Sequence, residues 1–207
     1  MDHARTILSV VGPHSGCGKT SFVIHLVRHI PGLGCLKISP GGDRLQQRPG
    51  RGKAIRPDYD LEDSQRLERS GTDTALYLTA GAAVVHRLRH RRDGLATGLH
   101  AALALYPEST PIVVESSRAV RLLHPAAVVL VVRPPIREMK PTTEAILPQV
   151  TDLLINSSDP SFALTASQCL QRDFPSLKPR FTWSADLIRE PPPQRLLARL
   201  RTLLTPR

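Results

Sequence analysis

A glycine-rich segment near the start of the chain constrains the fold more than any other feature. An apolar, β-branched run, Thr6–Gly12, precedes the segment, and apolar residues at helical spacing follow it over Thr20–Ile30. A buried strand, a glycine-rich turn and a helix in this order are typical of a loop that binds phosphate. The segment reads Gly12-Pro13-His14-Ser15-Gly16-Cys17-Gly18-Lys19-Thr20-Ser21.

The residue types of this segment fit the chemistry of a bound triphosphate. Glycines let successive backbone N–H groups turn toward one phosphate, and the helix adds its partly positive N-terminal end. Lys19 is predicted to contact the β- and γ-phosphates, and the Thr20 hydroxyl is predicted to coordinate Mg²⁺. The candidate nucleotide-binding residues of the loop are Gly12, His14, Ser15, Gly16, Cys17, Gly18, Lys19, Thr20 and Ser21.

The spacing departs in one respect from the Walker A pattern G-x-x-x-x-G-K-[ST]. Pro13 stands six positions before Lys19, where the pattern has its first glycine, and Gly12 lies one position earlier. The loop is therefore one residue longer than the pattern, although strand, loop and helix keep the expected order. Cys17 is interpreted as a spacer in the loop, because the sequence pairs it with no base.

Strand-like and helical segments alternate along the chain and predict an α/β fold. The strand candidates are continuous apolar runs, which is typical of parallel strands covered on both faces. We expect one domain over residues 1–207, a three-layer P-loop fold with a mostly parallel sheet between helices. The predicted strands are Thr6–Gly12, Gly34–Ile38, Thr74–Thr79, Pro111–Glu115, Ala126–Val132, Asp152–Asn156 and Arg180–Trp183. The predicted helices are Thr20–Ile30, Leu61–Arg69, Ala82–Arg92, Leu95–Leu105, Arg118–Leu123, Thr142–Val150 with a kink at Pro148, Ser161–Gln171 and Gln194–Leu204.

Charge and cysteine content narrow the class of partner and the compartment. The net charge of +10 suits nucleic acid, a membrane surface or a phosphorylated small molecule, and it also suits a plain arginine-rich composition. The basic stretches lack interleaved aromatic residues, which argues against single-stranded nucleic acid. Three widely spaced cysteines do not fit a disulfide framework or a zinc site. With no signal-peptide pattern and no long apolar run, the chain is predicted to be cytoplasmic and without a membrane span.

Acidic residues and one lysine are candidates for a Mg²⁺ and catalytic site. Glu115 ends an apolar run, and an acid at the carboxyl end of such a strand is well placed to orient a metal ion or water. A solvated loop acid is the alternative. The predicted metal ligands are Thr20, Asp60 and Glu115, with Asp43 as a further candidate, and the predicted catalytic residues are Lys19 and Glu115.

Lys37 and three aspartates form a second candidate group. Lys37 ends the second predicted strand, and Asp58, Asp60 and Asp63 precede a predicted helix. These residues are suited to bind metal and phosphate near the γ-position. The alternative is that Asp63 is a helix N-cap and that the other two aspartates are plain loop acids.

A segment after the predicted strand Asp152–Asn156 matches a pattern that recognises guanine. It reads Asn156-Ser157-Ser158-Asp159, which has the N-x-x-D spacing of the N-K-x-D pattern of GTPases, with Ser157 in place of the lysine. An aspartate can accept both N1–H and the N2 amino group of guanine, a donor pair that adenine lacks. Ser184-Ala185, after the next strand, is similar to the Ser-Ala of the loop that supports the base. An Asx-type turn at the strand end is the alternative for Asp159.

Two basic stretches remain. The segment Pro40–Pro57 is predicted to be a flexible loop that either closes over an anionic ligand or is simply solvated. Its basic residues are Arg44, Arg48, Arg51, Lys53 and Arg56. The run His86–Arg92 is predicted to be an exposed helix face.

These segments together resemble the molybdopterin-guanine dinucleotide biosynthesis protein B (MobB) family. The resemblance covers roughly the first 120 residues. Ser15–Thr20 is similar to the family's S-G-x-G-K-T, Leu36-Lys37-Ile38 to its I-K-H, and Val113-Val114-Glu115 to its V-E-G. Asp58-Tyr59-Asp60, Asp63-Ser64, Arg66-Leu67 and Ser70-Gly71 are similar to its D-x-D, D-S/T and A-G-A segment.

The resemblance implies a GTP-binding accessory protein of molybdenum-cofactor biosynthesis, with Mg²⁺ and weak GTPase activity. It also implies a homodimer and a nucleotidyltransferase or molybdoenzyme-maturation partner. Ser116-Ser117 replaces the family's G-F/Y-K, and extra material follows Pro134. The loop spacing is also similar to dethiobiotin synthetase and cobyrinic-acid amidation enzymes, so an ATP-dependent kinase or ligase is the alternative. A non-enzymatic regulator switched by nucleotide is the third.

Overall fold

Eight strands form the centre of the structure, a computed structural model that describes residues 5–41, 58–62, 72–91, 93–136 and 138–205. The inner strands are short apolar runs whose residues are buried, as expected for strands covered on both faces. The strands are β1 (Ile7–Val11), β2 (Gly34–Pro40), β3 (Tyr59–Glu62), β4 (Val84–His90), β5 (Ile112–Glu115), β6 (Ala127–Val132), β7 (Asp152–Asn156) and β8 (Phe181–Ala185).

The strand order is β3-β4-β2-β5-β1-β6-β7-β8. β3 is antiparallel to β4, and the other neighbouring pairs are parallel. β1 lies between β5 and β6, with Ser9 opposite Val114 on one side and Val128 on the other. Strands β2 to β5 all lie on one side of β1 in the sheet, and strands β6 to β8 lie on the other side, so the direction of winding reverses at β1. In open α/β sheets, ligands bind at the carboxyl edge where this winding reverses, which is the loop after β1.

Helices cover both faces of the sheet. Adjacent residues of β1 point to opposite faces, so that Val10 belongs to one hydrophobic core and Val11 to another. The first core includes buried side chains of α1, α2 and α7, and the cores on the opposite face include side chains of α3, α4 and α6. The helices are α1 (Lys19–His29), α2 (Asp73–Thr79), α3 (Leu95–Ala104), α4 (Val120–Leu123), α5 (Pro141–Glu144), α6 (Pro160–Asp173) and α7 (Gln194–Leu204).

A buried ion pair fixes the C-terminal helix α7 to the edge of the sheet. Asp152, at the start of β7, is fully buried. Its Oδ1 accepts hydrogen bonds from Trp183 Nε1 at 3.0 Å and Arg199 Nε at 3.1 Å. Its Oδ2 accepts from Thr151 Oγ1 at 2.7 Å. Leucines at helical spacing bury the inner face of α7. Apolar packing and the bond from Arg199 to Asp152 therefore both hold α7 against the sheet.

The prediction of an α/β fold with a mostly parallel sheet between helices is confirmed. Most predicted elements are present with ends shifted by a few residues. The predicted helix Thr142–Val150 is instead divided into α5 and a 3₁₀ turn, Leu147–Gln149, because Pro148 cannot donate a backbone hydrogen bond. In the part of the chain that the structure describes, no helix combines the length and apolar character needed to cross a membrane.

Two predicted elements are wrong, and they exchange types. Thr74–Thr79 was predicted as a strand but belongs to α2, because the Thr72 side chain caps the helix by accepting from Ala75 N, and Asp73 favours its first turn. Ala82–Arg92 was predicted as a helix, yet Val84–His90 forms β4. His86 and His90 are buried, so the part of the predicted exposed helix face up to His90 belongs to an interior strand.

The predicted helix Leu61–Arg69 is wrong at its first two residues. Leu61 and Glu62 belong to the antiparallel strand β3, where Glu62 forms an ion pair with Arg89 of β4. The remainder of that helix lies outside the described residues. The same holds for nearly all of the predicted basic loop, with Asp43, Arg44, Arg48, Arg51, Lys53 and Arg56, and for Asp63.

Candidate functional site

The glycine-rich loop joins β1 to α1 at the reversal point of the sheet. Gly16 and Gly18 have positive φ angles of 79° and 107°, a backbone conformation that side chains disfavour. Gly18 is the N-cap of α1, and Cys17 is buried. Lys19 Nζ folds back over the loop and donates to the carbonyl oxygen of His14 at 2.8 Å. The loop therefore curls around its own lysine.

Asn156 holds this loop against the other half of the sheet. Its Nδ2 donates to Cys17 O at 3.1 Å, and its Oδ1 accepts from Leu187 N at 3.1 Å. The side chain is 6% exposed. Both ends of the amide are thus engaged by backbone, so Asn156 connects the loop to the segment after β8.

Replacing Gly18 by alanine is expected to destabilise the protein well beyond ordinary backbone strain. A Cβ at Gly18 would lie 2.4 Å from Asn156 Nδ2, so the amide must move and lose its bond to Cys17. The left-handed conformation costs alanine about 1–2 kcal/mol, and the unsatisfied buried groups add about 1–3 kcal/mol. Urea unfolding measures the sum.

Gly81→Ala is the matched control for Gly18→Ala. Gly81 has a φ of 100°, close to that of Gly18, and in the described part of the chain no atom beyond its neighbours lies within 4 Å of a Cβ placed there. It should show the backbone strain alone. If Gly18→Ala and Gly81→Ala lose equal amounts of free energy of unfolding, the role given to Asn156 is contradicted.

A buried polar cluster lies beside the loop, on the β5 and β2 side. Glu115 ends β5 opposite Val10 of β1 and Lys37 of β2. Lys37 Nζ lies 3.3 Å from Glu115 Oε2 and also pairs with Asp73 at the start of α2. The hydroxyl of Tyr77 donates to the same Glu115 oxygen. Because Glu115 and Tyr77 are buried, this cluster fixes the carboxylate next to the loop.

Burial shifts the pKa values in this cluster. Desolvation lowers the pKa of Lys37, and the adjacent Glu115 opposes that shift. Desolvation and the negative charge of Glu115 raise the pKa of Tyr77 well above its ordinary value, while a hydrogen bond with the Thr20 side chain acts in the opposite direction. Tyr77 therefore remains a protonated donor to Glu115.

The structure brings together two of the three predicted Mg²⁺ ligands. Thr20 lies in the first turn of α1, directly after the loop that follows β1, and Glu115 ends β5, the strand that pairs with β1. Asp60 is on β3, which is separated from β5 by two strands, or about 14 Å across the sheet. Among the described residues, no group of three or more His, Cys, Asp or Glu side chains is arranged to hold a metal ion. A metal here would thus need oxygen ligands from phosphate or water.

A polar cleft of about 380 Å³ opens on the other side of the loop, at the carboxyl ends of β6, β7 and β8. This volume is within the range of small-molecule sites. Asn156 belongs both to the cleft wall and to the bond network of the loop, so the two features adjoin. The lining residues are Arg133, Pro134, Asn156, Ser157, Ser158, Asp186, Ile188 and Arg189.

Asp159 and the Ser184-Ala185 pair take mainly structural positions. Asp159 is exposed and caps α6, where its Oδ1 accepts from Ser161 N at 2.9 Å and Ser161 Oγ at 2.6 Å. The Ser161 side-chain bond lowers the pKa of Asp159. Ala185 is buried and accepts from Ser157 N at 3.0 Å. Asp159 and this pair do not line the cleft that Asn156 shares with its neighbours.

Sequence reasoning missed several side chains of the site. Tyr77 was assigned to a strand and Asp73 to no element, although Asp73-Thr74 followed by Ala80-Gly81-Ala82 also fits the D-S/T and A-G-A pattern cited above. Asp186, which directly follows the Ser-Ala pair, was overlooked. Arg133 and Arg189 carry no sequence signal, because only the fold places the ends of three strands side by side.

Comparison of the chain with protein-family models finds no match, and comparison with curated proteins also finds none.

Proposed function

We propose that this chain binds a nucleoside triphosphate with Mg²⁺ at the Gly12–Ser21 loop, and that it prefers GTP. One observation carries the proposal. A glycine-rich loop that curls around Lys19 occupies the reversal point of a doubly wound sheet, between a polar cleft and a buried carboxylate. A P-loop fold accounts for all three features.

The phosphates would occupy the cradle of the loop. The backbone N–H groups around Gly16 and Gly18 and the N-terminal end of α1 are the anion-binding elements. Lys19 Nζ would exchange its bond to His14 O for the β- and γ-phosphate oxygens. That exchange replaces a neutral acceptor by a charged one, which favours the bound state.

Thr20 and Glu115 fit a Mg²⁺ ion, because both supply oxygen ligands and lie at the carboxyl edge of the paired strands β1 and β5. When bound, the ion would neutralise charge on the β- and γ-phosphates. Tyr77 and Lys37 hold Glu115 through the same oxygen, Oε2. This leaves the remaining carboxylate oxygen for the ion or for a water molecule.

The cleft beyond Asn156 would take the nucleobase, with GTP as the preferred ligand. The resemblance to MobB extends this to an accessory role in molybdenum-cofactor assembly, with weak GTPase activity and a nucleotidyltransferase partner. We also propose that the protein is cytoplasmic and acts as a homodimer.

An ATP-dependent kinase or ligase is a second candidate, which the Lys37–Asp73 pair favours. The pair lies on the side of Glu115 away from the cleft, and Asp73 is 42% exposed. An anionic acceptor entering there would face Lys37 beside the γ-phosphate position. In this function, the second substrate would bind on the β2 side.

Calorimetric titration with non-hydrolysable GTP and ATP analogues, with and without Mg²⁺, tests the proposed function. We expect GTP to bind at least about tenfold more tightly than ATP, which corresponds to about one charged hydrogen bond. Removal of Mg²⁺ should weaken both. Equal or tighter binding of ATP would contradict the guanine preference and favour the kinase or ligase.

A further inference from the structure

We propose that Asp186, and not Asp159, is the residue that discriminates between bases, by accepting hydrogen bonds from the guanine edge in the cleft. This inference rests on the proposed function, because it assigns one contact within the same nucleotide site. Among the lining residues that the structure describes, Asp186 alone carries a carboxylate. Asp159 is outside the lining and caps α6.

The position of Asp186 gives a carboxylate that is fixed yet still able to accept. Its side chain is 16% exposed. Oδ1 accepts from Ile188 N at 3.2 Å, and the Asp186 backbone N donates to Glu190 Oε1 at 3.2 Å. These two bonds hold the turn after β8 and orient the side chain. Oδ1 has a second lone pair, and Oδ2 lies 3.7 Å from Arg189 Nε, so both oxygens retain capacity for ligand donors.

Guanine matches this acceptor better than adenine does. Its N1–H and N2 amino group are adjacent donors with the spacing of the two oxygens of a carboxylate, whereas the adenine edge has an acceptor at N1. Bonds to a charged acceptor in a partly buried cleft are worth roughly tenfold to 100-fold in affinity. One well-placed carboxylate is thus enough to set the base preference.

Two arginines of the cleft complement this edge contact. Arg133 follows β6, and Arg189 lies three residues beyond Asp186. The guanidinium of Arg189 is 81% exposed and its ion pair with Asp186 is long, so it is free to move over a ligand. Planar guanidinium groups stack on nucleobases. The cleft therefore combines an acceptor for the base edge with cations for the base face.

The test compares Asp186→Asn with Asp159→Asn by measuring affinities for the guanosine, adenosine and xanthosine diphosphates with Mg²⁺. Asparagine keeps the size of the side chain and can still accept from Ile188 N. It offers one acceptor and one donor, which match N1–H and the C2 carbonyl of xanthine. For Asp186→Asn we expect about tenfold to 100-fold weaker binding of guanosine diphosphate, with tighter binding of xanthosine diphosphate and unchanged binding of adenosine diphosphate. Asp159→Asn should leave all three affinities unchanged.

The outcomes separate this inference from the proposed function. If Asp159→Asn gains xanthosine diphosphate binding, or if Asp186→Asn changes no affinity while wild type still prefers guanosine diphosphate, Asp186 is not the discriminating residue and only this inference falls. If wild type binds none of the three diphosphates, the proposed function falls and this inference with it. Circular dichroism spectra of both variants should match that of wild type, so that a lower affinity cannot be attributed to unfolding.

Discussion

The Asp152→Ala variant is expected to lose about 3–5 kcal/mol of its free energy of unfolding, because a buried ion pair is broken from one side. Asp152 is fully buried and accepts from Trp183, Arg199 and Thr151. Removing the carboxylate leaves the guanidinium of Arg199, 24% exposed, and the indole N–H without their acceptor. The loss should also loosen α7, since Arg199 is its polar anchor to the sheet.

The chain's single tryptophan makes this effect measurable. Trp183 Nε1 is 3.0 Å from Asp152 Oδ1, so its fluorescence should change in the folded variant and also report the urea transition. Asp173→Ala is the control, because Asp173 pairs with Arg172 at the surface, where both partners are about half or more exposed. We expect the control to unfold like wild type. A small loss for Asp152→Ala would mean that apolar packing alone holds α7.

The second large effect is expected for Lys19→Ala, which should weaken triphosphate binding by about 100-fold while leaving the fold intact. The lysine supplies a charged donor to phosphate, and such bonds contribute about 1.5–3 kcal/mol each. In the free protein, Lys19 Nζ donates to the carbonyl oxygen of the half-buried His14 and lies 3.5 Å from Cys17 Sγ. Its removal therefore costs little folding energy.

The glycine-rich turn between β1 and α1 and the inner strands were predictable because their signals are local. β1, β6 and β7 are continuous apolar runs, and a strand buried on both faces needs nothing else. The glycines before Lys19-Thr20 indicate a tight turn into a helix, and Gly16 and Gly18 do have positive φ angles there. The prediction of these elements therefore does not require knowing which strands pair with each other in the sheet.

The exchange of α2 and β4 has a physical cause in each case. β4 alternates buried and partly exposed residues, and its arginines are tolerated because β3 supplies Glu62 to Arg89. The alternation was the sequence signal for a strand, but the arginines of the run suggested an exposed helix face instead. For α2, the cap at Thr72 and the stop at Gly81, with its positive φ of 100°, indicated a helix, but the β-branched threonines favoured a strand.

The cleft could be predicted only in part, because it is assembled from the ends of three strands. Asn156 was recognised, but the sequence pattern did not reveal that its amide holds the loop and the segment after β8. The spacing pointed to Asp159, whereas the turn after β8 brings Asp186 to the cleft. Asp159 is not available to the cleft because its carboxylate caps the N-terminus of α6. The sequence pattern does not show which carboxylate is engaged in this way.

The most direct test of the account is calorimetric titration of wild type, Lys19→Ala and Lys178→Ala with a non-hydrolysable GTP analogue and Mg²⁺. Lys178 is an exposed lysine shortly before β8, at the sheet edge opposite the loop, so it controls for the loss of one positive charge. We predict saturable 1:1 binding per chain that Lys178→Ala retains and Lys19→Ala weakens by about 100-fold. Equal affinities for all three proteins, or no binding by wild type, would contradict nucleotide binding at the Gly12–Ser21 loop.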